Sequence, residues 1–156
     1  MNTPLKTCFF IGHHDASEKI LPALTAAVER HVIDFGVTDF VVGHYGGFDQ
    51  MAARVVKAEK ERHPLVTLTL LLPYHPADRP IPVPDGFDST FYPPGMETTP
   101  KKLAIIRANR YMVEHSSHLI SYVWHAASNS REILEFAQRR EKRGLIHVEN
   151  LAEQIQ

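Results

Sequence analysis

The sequence predicts an α/β protein, a Rossmann-like three-layer sandwich with a five-stranded parallel sheet. Three observations lead to this class. Short apolar runs alternate with segments of helical period along the chain, which is typical of a parallel sheet covered by helices on both faces. The apolar runs are nearly continuous rather than alternating, as in buried parallel strands. A long proline-rich connection follows the third run, over residues 73–100.

The five predicted strands are short apolar runs that end at glycine, proline or polar residues. They cover residues 7–11, 39–43, 65–72, 119–123 and 145–148. Apolar residues at helical spacing predict helices over 20–35, from 48 up to His63-Pro64, over 105–113 and over 130–143. Asp15 or Ser17 can cap the first of these helices, and Gly36 can end it.

Residues 73–100 contain eight of the eleven prolines and are predicted to form a long irregular loop. Loops of this length in compact domains are usually functional or disordered. Four aromatic residues within the segment favour a loop that packs onto the protein: Tyr74, Phe87, Phe91 and Tyr92. Such a long crossover can return the chain to the middle of the sheet, which predicts the strand order 3-2-1-4-5. Ligands of sheets with this order bind at the carboxyl ends of the strands, beside the switch point between strands 1 and 4.

Composition narrows the functional classes. The 156 residues are 44% hydrophobic and 22% charged, which fits one soluble globular domain over 1–156. No apolar stretch approaches the ~18 residues of a membrane span, and the lone Cys8 fits a reducing compartment. The net charge of −1 comes without a visible basic stripe. We therefore expect a cytoplasmic protein that binds a small molecule, with no nucleic-acid or membrane partner; a homo-oligomer is left open.

The most informative turn is the run Gly43-His44-Tyr45-Gly46-Gly47, which follows the second strand and opens a helix. Glycines let backbone amides approach an anion, and a helix amino terminus favours negative charge. The alternative is a tight turn that needs glycine for its backbone angles. The run is neither a G-x-G-x-x-G fingerprint nor a Walker loop, so NAD and ATP are not indicated and we expect no cofactor.

Two further segments carry polar side chains that could reach a ligand. Ser128-Asn129-Ser130 leads into the last helix and can either cap it or bind phosphate oxygens. Asn109 lies on the apolar face of the third helix and needs a polar partner there, which a neighbouring loop or a ligand could supply. The adjacent Arg110 belongs to a solvated face unless the helix directs it into the cleft.

Histidines follow the ends of four predicted strands: His13, His44, His75 and His125. Imidazole is a common ligand of zinc and copper, but no compact spacing such as H-E-x-x-H is present and no paired carboxylates accompany these histidines. We therefore expect hydrogen-bonding roles and no metal. A structural role is predicted for the histidines at helix ends or on exposed elements, His31, His63, His115 and His147. Cys8 lies inside a strand and is predicted to be a core residue.

Several motifs resemble a known superfamily. The segment Phe9-Phe10-Ile11-Gly12-His13 resembles an F-x-G-H-R opening, and residues 42–52 resemble a glycine turn followed by F-D-x-M-A. Residues 91–97 and 109–113 are similar to later segments, in the right order over nearly the whole chain. The chain thus resembles an uncharacterised branch of the SLOG superfamily, named after the Smf/DprA and LOG ("lysine decarboxylase-like") proteins. The resemblance implies a Rossmann-like domain that binds a nucleotide or a nucleotide derivative at Gly46-Gly47.

The chain departs from this pattern in two respects. Ser128-Asn129-Ser130 replaces a double glycine, and His14 and Ala108 stand where many relatives have arginine. LOG proteins cleave the base from nucleoside monophosphates with a glutamate and an arginine near P-G-G-x-G-T-x-x-E. That motif is absent here, and Glu132 matches its glutamate only loosely in position.

Three functions follow from these observations. The leading one is a binding module, acting as a sensor, for a nucleotide or a phosphoribosyl compound. The second is an N-glycosidase (phosphoribohydrolase) acting on a nucleoside monophosphate, with Asp49 or Glu132 as the carboxylate near the ribose; Asp49 could instead complement the helix dipole. The third is a non-catalytic scaffold. The predicted ligand-binding residues are Gly12, His13, Gly43, His44, Gly46, Gly47, Asn109, Arg110, Trp124, Ser128, Asn129 and Ser130.

Overall fold

Strands and helices alternate through the part of the chain that the computed structural model describes, residues 6–44, 46–125 and 128–153. The strands are β1 (Thr7–Gly12), β2 (Asp39–Val42), β3 (Thr67–Leu71), β4 (Ser89–Phe91), β5 (His118–Tyr122) and β6 (His147–Asn150). The helices are α1 (Leu21–Ile33), α2 (Gly47–Arg62), α3 (Ala104–His115) and α4 (Asn129–Lys142). The predicted α/β class with a parallel sheet flanked by helices is confirmed.

The sheet has six parallel strands in the order β4-β3-β2-β1-β5-β6. The prediction of a five-stranded sheet was wrong, although the five predicted strands keep their order relative to one another. The additional strand, β4, lies within the proline-rich segment and extends the sheet beyond β3. The Leu72 amide donates to the carbonyl of Phe91 at 2.8 Å, and the Leu68 amide donates to the Asp88 carboxylate at 2.8 Å. These bonds to β3 hold a strand that has no apolar run of its own.

Two hydrophobic cores lie on opposite faces of the sheet. Because successive side chains of a strand point to opposite faces, Cys8 and Phe10 of β1 enter the core beneath α1 and α2. Phe9 and Ile11 enter the core beneath α3 and α4. All four residues are at most 5% exposed. This double burial explains why β1 is apolar at consecutive positions, and it fixes the three layers.

One face of β3 is less covered than its sequence suggests. Thr67 and Thr69 are partly exposed, whereas the intervening Leu68 is fully buried. The Thr67 hydroxyl donates to Asp39 Oδ1 at 2.6 Å, and the Thr69 hydroxyl lies 3.0 Å from that of Ser89. The prediction that this strand is covered on both faces was therefore wrong for its first half, where hydroxyl groups bond to polar side chains of neighbouring strands.

The first helix begins through a short 3-10 turn, Glu18–Ile20. Ser17 caps this turn by accepting a hydrogen bond from the Lys19 amide at 3.2 Å, which resolves the choice between Asp15 and Ser17. Pro22 lies in the first turn of α1, where its missing amide hydrogen costs nothing. Among the described residues, no helix combines the length and the apolar character that crossing a membrane requires.

Candidate functional site

A cleft of about 310 Å³ opens at the carboxyl ends of β1, β2 and β3, between the amino-terminal parts of α3 and α4. Its floor is apolar and includes Phe10, Ile11 and Leu71. Its volume is at the lower end of the range for ligand pockets. The polar residues around the cleft are His14, His44, Asp49, Lys102, Asn109, Asn129 and Ser130.

The β2–α2 turn brings one carboxylate to the cleft. Asp49 lies in the first turn of α2, where the helix dipole favours a negative charge. Its side chain lies so close to Gly43 that a Cβ added to Gly43 would be only 2.7 Å from Asp49 Oδ2. Any larger residue at position 43 would therefore displace the carboxylate. Glycine here allows the first turn of α2 to approach the end of β2 and places Asp49 in the cleft wall.

The glycine pair Gly46-Gly47 serves close packing between two loops. The Gly47 amide donates to the His14 carbonyl at 2.7 Å. A Cβ added to Gly46, whose φ is 108°, would lie 2.8 Å from His14 Cα. Neither glycine lines the cleft. These contacts support the tight-turn interpretation of the pair and leave the anion site at these amides as a prediction; Tyr45 lies outside the described residues.

His13 anchors the loop that follows β5. Its Nε2 accepts hydrogen bonds from the Trp124 amide at 2.8 Å and from the His125 amide at 3.1 Å. Burial lowers the pKa of His13, and the nearby His125 lowers it further, against an opposing effect of Asp15. A lowered pKa keeps the ring neutral, so that Nε2 remains an acceptor. The buried His13 does not line the cleft.

The residues at the start of α4 have two different roles: one caps the helix, and the others line the cleft. Ser128 caps the helix by accepting from the Arg131 amide at 3.1 Å. Asn129 and Ser130 line the cleft, and the Ser130 hydroxyl also donates to the Gly12 carbonyl at 3.5 Å. The two alternatives for this turn thus apply to different residues. Residues 126 and 127, which precede it, lie outside the described residues.

Seven predicted site residues line the cleft, and seven do not. Those in the cleft are Gly12, Gly43, His44, Asp49, Asn109, Asn129 and Ser130; those outside it are His13, Gly46, Gly47, Arg110, Trp124, Ser128 and Glu132. The Arg110 guanidinium lies over the Phe136 ring at 4.3 Å. Trp124 is 53% exposed and its ring lies 3.6 Å from that of His125. Glu132 is exposed in the first turn of α4.

The sequence analysis missed the cationic side of the cleft. Lys102 lies in a 3-10 turn, Lys101–Leu103, just before α3, and its side chain lines the cleft together with Ile105 and Ile106. His14, noted only as a departure from arginine, lines it as well. The available signal was the helical spacing of positions 102, 105, 106 and 109, which places Lys102 on the same face as Asn109.

The four histidines that follow strands do not all meet, although the rings of His13 and His125 lie 4.6 Å apart. His44 lines the cleft, and His13 anchors a loop. The His75 Nδ1 accepts from the Ala77 amide at 3.0 Å, and the His125 ring packs against that of Trp124 at an interplanar angle of 30°. Among residues 6–44, 46–125 and 128–153, no three histidine, cysteine or acidic side chains are grouped as metal ligands would be.

The fold and the cleft define a Rossmann-like α/β protein with a ligand-sized cleft at the carboxyl edge of its sheet. A similar solved structure is the X-ray structure of DNA processing protein A (DprA) from Streptococcus pneumoniae, with a TM-score of 0.63 and 15% sequence identity. The match covers 92% of this chain and 49% of that chain, so this chain spans about half of its length. No protein-family model matches this chain, and no curated protein matches it.

This likeness is one of fold. It supports the parallel sheet flanked by helices, and the SLOG superfamily stays a prediction from the motifs. The particular branch with the F-x-G-H-R opening remains a prediction from the motifs.

Proposed function

We propose that the cleft binds a nucleotide or a nucleotide-derived phosphoribosyl compound, and that the protein acts as a binding module that senses this ligand. The observation that carries the proposal is the polar wall of the cleft. Lys102 contributes a positive charge, while Asn129 and Ser130 contribute the amino-terminal end of a 14-residue helix. A helix start favours anions, and a lysine supplies a point charge for phosphate.

The remaining polar residues suit a sugar. Asp49 can accept hydrogen bonds from a ribose diol, as acidic residues do in other parallel α/β folds. The amide of Asn109 can donate and accept, and it lies on the α3 face that lines the cleft. The apolar floor of Phe10, Ile11 and Leu71 excludes water beneath the sugar and strengthens these hydrogen bonds. A phosphorylated ribose therefore matches both the charge and the size of the cleft.

Calorimetric titrations with ribose 5-phosphate, ribose and AMP test this proposal. We expect ribose 5-phosphate and AMP to bind, and ribose to bind at least about tenfold more weakly than ribose 5-phosphate because it lacks the phosphate. The Lys102→Ala substitution should weaken ribose 5-phosphate binding by about tenfold. Lys142→Ala is the matched control, since the cleft adjoins the amino-terminal end of α4 and this lysine lies at the carboxyl-terminal end. Equal affinity for ribose and ribose 5-phosphate would contradict the proposal.

A second candidate is N-glycosidic hydrolysis of a nucleoside monophosphate. The observation that favours it is Asp49, which lines the cleft where a general base would need to reach the ribose or a water molecule. Glu132, the other predicted carboxylate, does not line the cleft.

Chromatographic detection of free base from AMP, GMP, CMP and UMP tests hydrolysis. If hydrolysis occurs, Asp49→Asn should abolish it and Glu132→Gln should leave it unchanged. Equal release by the wild type and Asp49→Asn would indicate a contaminating activity and would exclude Asp49 as the base.

A further inference from the structure

A second cavity, of about 290 Å³, lies beside the proposed phosphoribosyl cleft. It is formed largely by the proline-rich segment and the turn that leads to α3. Pro73 lines both cavities. The consecutive residues Lys101 and Lys102 each line a different one, the second cavity and the cleft respectively. The two cavities therefore adjoin.

The second cavity differs from the cleft in its aromatic surface. Tyr92 lines it, with its ring 5.3 Å from that of His75 at an interplanar angle of 78°. This edge-to-face contact supports the Tyr92 ring from the side. Tyr74 also lines the cavity and carries the Arg79 guanidinium over its ring at 4.0 Å. Planar groups stack favourably on such rings.

The charge of the second cavity is also different. Asp78 and Glu97 line it against the single ammonium group of Lys101, so acceptors of hydrogen bonds outnumber cationic donors. Burial raises the pKa of Tyr92, and the negative charges of Glu97 and Asp78 raise it further. The second cavity is therefore an aromatic site with an acidic rim, next to a cleft that has a lysine and a helix start.

We propose that the second cavity binds an amino-bearing nucleobase whose phosphoribosyl part occupies the cleft. The inference rests on the proposed function, which it makes more specific. The base stacks on Tyr92, and its exocyclic amine donates to the carboxylates of Asp78 and Glu97. Bases that present an amine at this position are favoured over those that present a carbonyl oxygen, which would face the carboxylates with another acceptor. The preferred ligand class is thus an adenine or cytosine nucleotide.

Calorimetry with AMP, IMP and ribose 5-phosphate separates this inference from the proposed function. AMP and IMP differ chiefly in the amine or carbonyl at one ring position, and ribose 5-phosphate lacks the base altogether. We expect AMP to bind about tenfold more tightly than ribose 5-phosphate because of stacking, and at least about fivefold more tightly than IMP because of the amine.

Variants of the second cavity assign these differences to residues. Tyr92→Leu should weaken AMP binding by about tenfold and leave ribose 5-phosphate binding within about twofold. Tyr92→Phe keeps the ring and should bind AMP as the wild type does. Because Tyr92 also packs against the core, the exposed Glu97 supplies an independent variant: Glu97→Gln should reduce the preference for AMP over IMP. Glu135→Gln, at an exposed position on α4, is its matched control.

The outcomes are distinguishable. If AMP and ribose 5-phosphate bind equally well, the base makes no contact and the inference is overturned, while the proposed function stands. The inference is also overturned if Tyr92→Leu loses both ligands equally in a folded protein, or if IMP binds as tightly as AMP. If neither AMP nor ribose 5-phosphate binds, the proposed function fails and the inference fails with it.

Discussion

Histidines at the two ends of the sheet differ in their surroundings. At the carboxyl edge, His14 and His44 are exposed and line an open cleft. At the amino edge, His118 and His147 begin β5 and β6, and His31 lies near the end of α1. There the ring of His118 lies 5.1 Å from that of His31 and 5.5 Å from that of His147. The residue type is the same, and its surroundings determine whether it is available to a ligand.

The amino edge is closed by aromatic packing. Phe35 stacks on His118 with an interplanar angle of 18°, and His31 Nδ1 lies 2.7 Å from the Ala27 carbonyl. His31 is 0% exposed and His118 is 8% exposed. Burial, together with the facing groups His31, His147 and Lys6, lowers the pKa of His118 to about 4. An ion pair between Arg30 and Glu149 lies beside this cluster. The amino edge is therefore filled by packed rings, while the carboxyl edge holds an open cleft.

The largest expected effect concerns Gly12, where the carboxyl edge is packed as tightly as a core. A Cβ at Gly12 would overlap the buried Phe48 ring and lie 2.7 Å from Phe48 Cβ. We expect Gly12→Ala to lower the free energy of unfolding by about 3 kcal/mol, measured by urea denaturation. Gly144→Ala, at a φ of 73° with no atom within 4 Å, should cost about 1 kcal/mol. Equal costs would mean that Phe48 shifts and relieves the overlap at Gly12.

The next effect tests the closed edge by pH. The unfolded chain binds a proton at His118 near pH 6.5, whereas the folded protein does so only near pH 4. The free energy of unfolding should therefore fall as the pH is lowered from about 6.5 to about 4, with His118 contributing about 2–3 kcal/mol. Urea denaturation across this range should show a shallower fall for His118→Asn than for the wild type. If the free energy of unfolding falls equally with pH in the two proteins, then protonation of His118 does not contribute to the pH dependence.

A smaller effect is expected from the loop anchor at the carboxyl edge. His13→Ala removes the acceptor for two amides, those of Trp124 and His125. We expect a loss of about 1–2 kcal/mol in the free energy of unfolding and faster hydrogen exchange at these two amides. The neighbouring exposed His14 is the control, and His14→Ala should change stability by less than about 0.5 kcal/mol. If hydrogen exchange at these two amides is unchanged in His13→Ala, then His13 does not anchor the loop.

The smallest expected effect sharpens the contrast between the edges. Lys102 is exposed, and Lys102→Ala should change the free energy of unfolding by less than about 0.5 kcal/mol. The same substitution should weaken the binding of phosphate-containing ligands. Thermal and urea denaturation check the first of these two effects. A stability loss above about 1 kcal/mol would mean that Lys102 supports the fold, and the open edge would then resemble the closed one.

The fold was largely predictable because burial on two faces leaves a strong pattern. Continuous apolar runs marked five strands, and the long connection over 73–100 determined where the chain returns to the middle of the sheet. β4 was missed because Ser89-Thr90-Phe91 has no apolar periodicity and lies among prolines. It exists through bonds to β3 that are distant in sequence, such as the one from the Leu68 amide to Asp88. Such long-range pairing leaves no local signal.

The site was half predictable, because the sequence indicates which turns form the cleft edge but not which way each side chain points. His13 and His14 are adjacent, yet one is buried beneath a loop and the other lines the cleft. On α4, Asn129 and Ile133 line the cleft while Glu132 does not, since neighbouring positions on a helix differ by about 100°. The rotation of each helix depends on core packing that no single turn reveals.

The short outer strand β4 also limits strand pairing at its edge of the sheet. An outer strand carries unpaired amides and carbonyls that recruit strands from other chains. β4 offers three residues, Ser89–Phe91, and Pro84, Pro93 and Pro94 flank it without an amide hydrogen to donate. A second molecule therefore finds too short a template to continue the sheet on this side. Pairing between the sheets of two molecules is therefore disfavoured at β4.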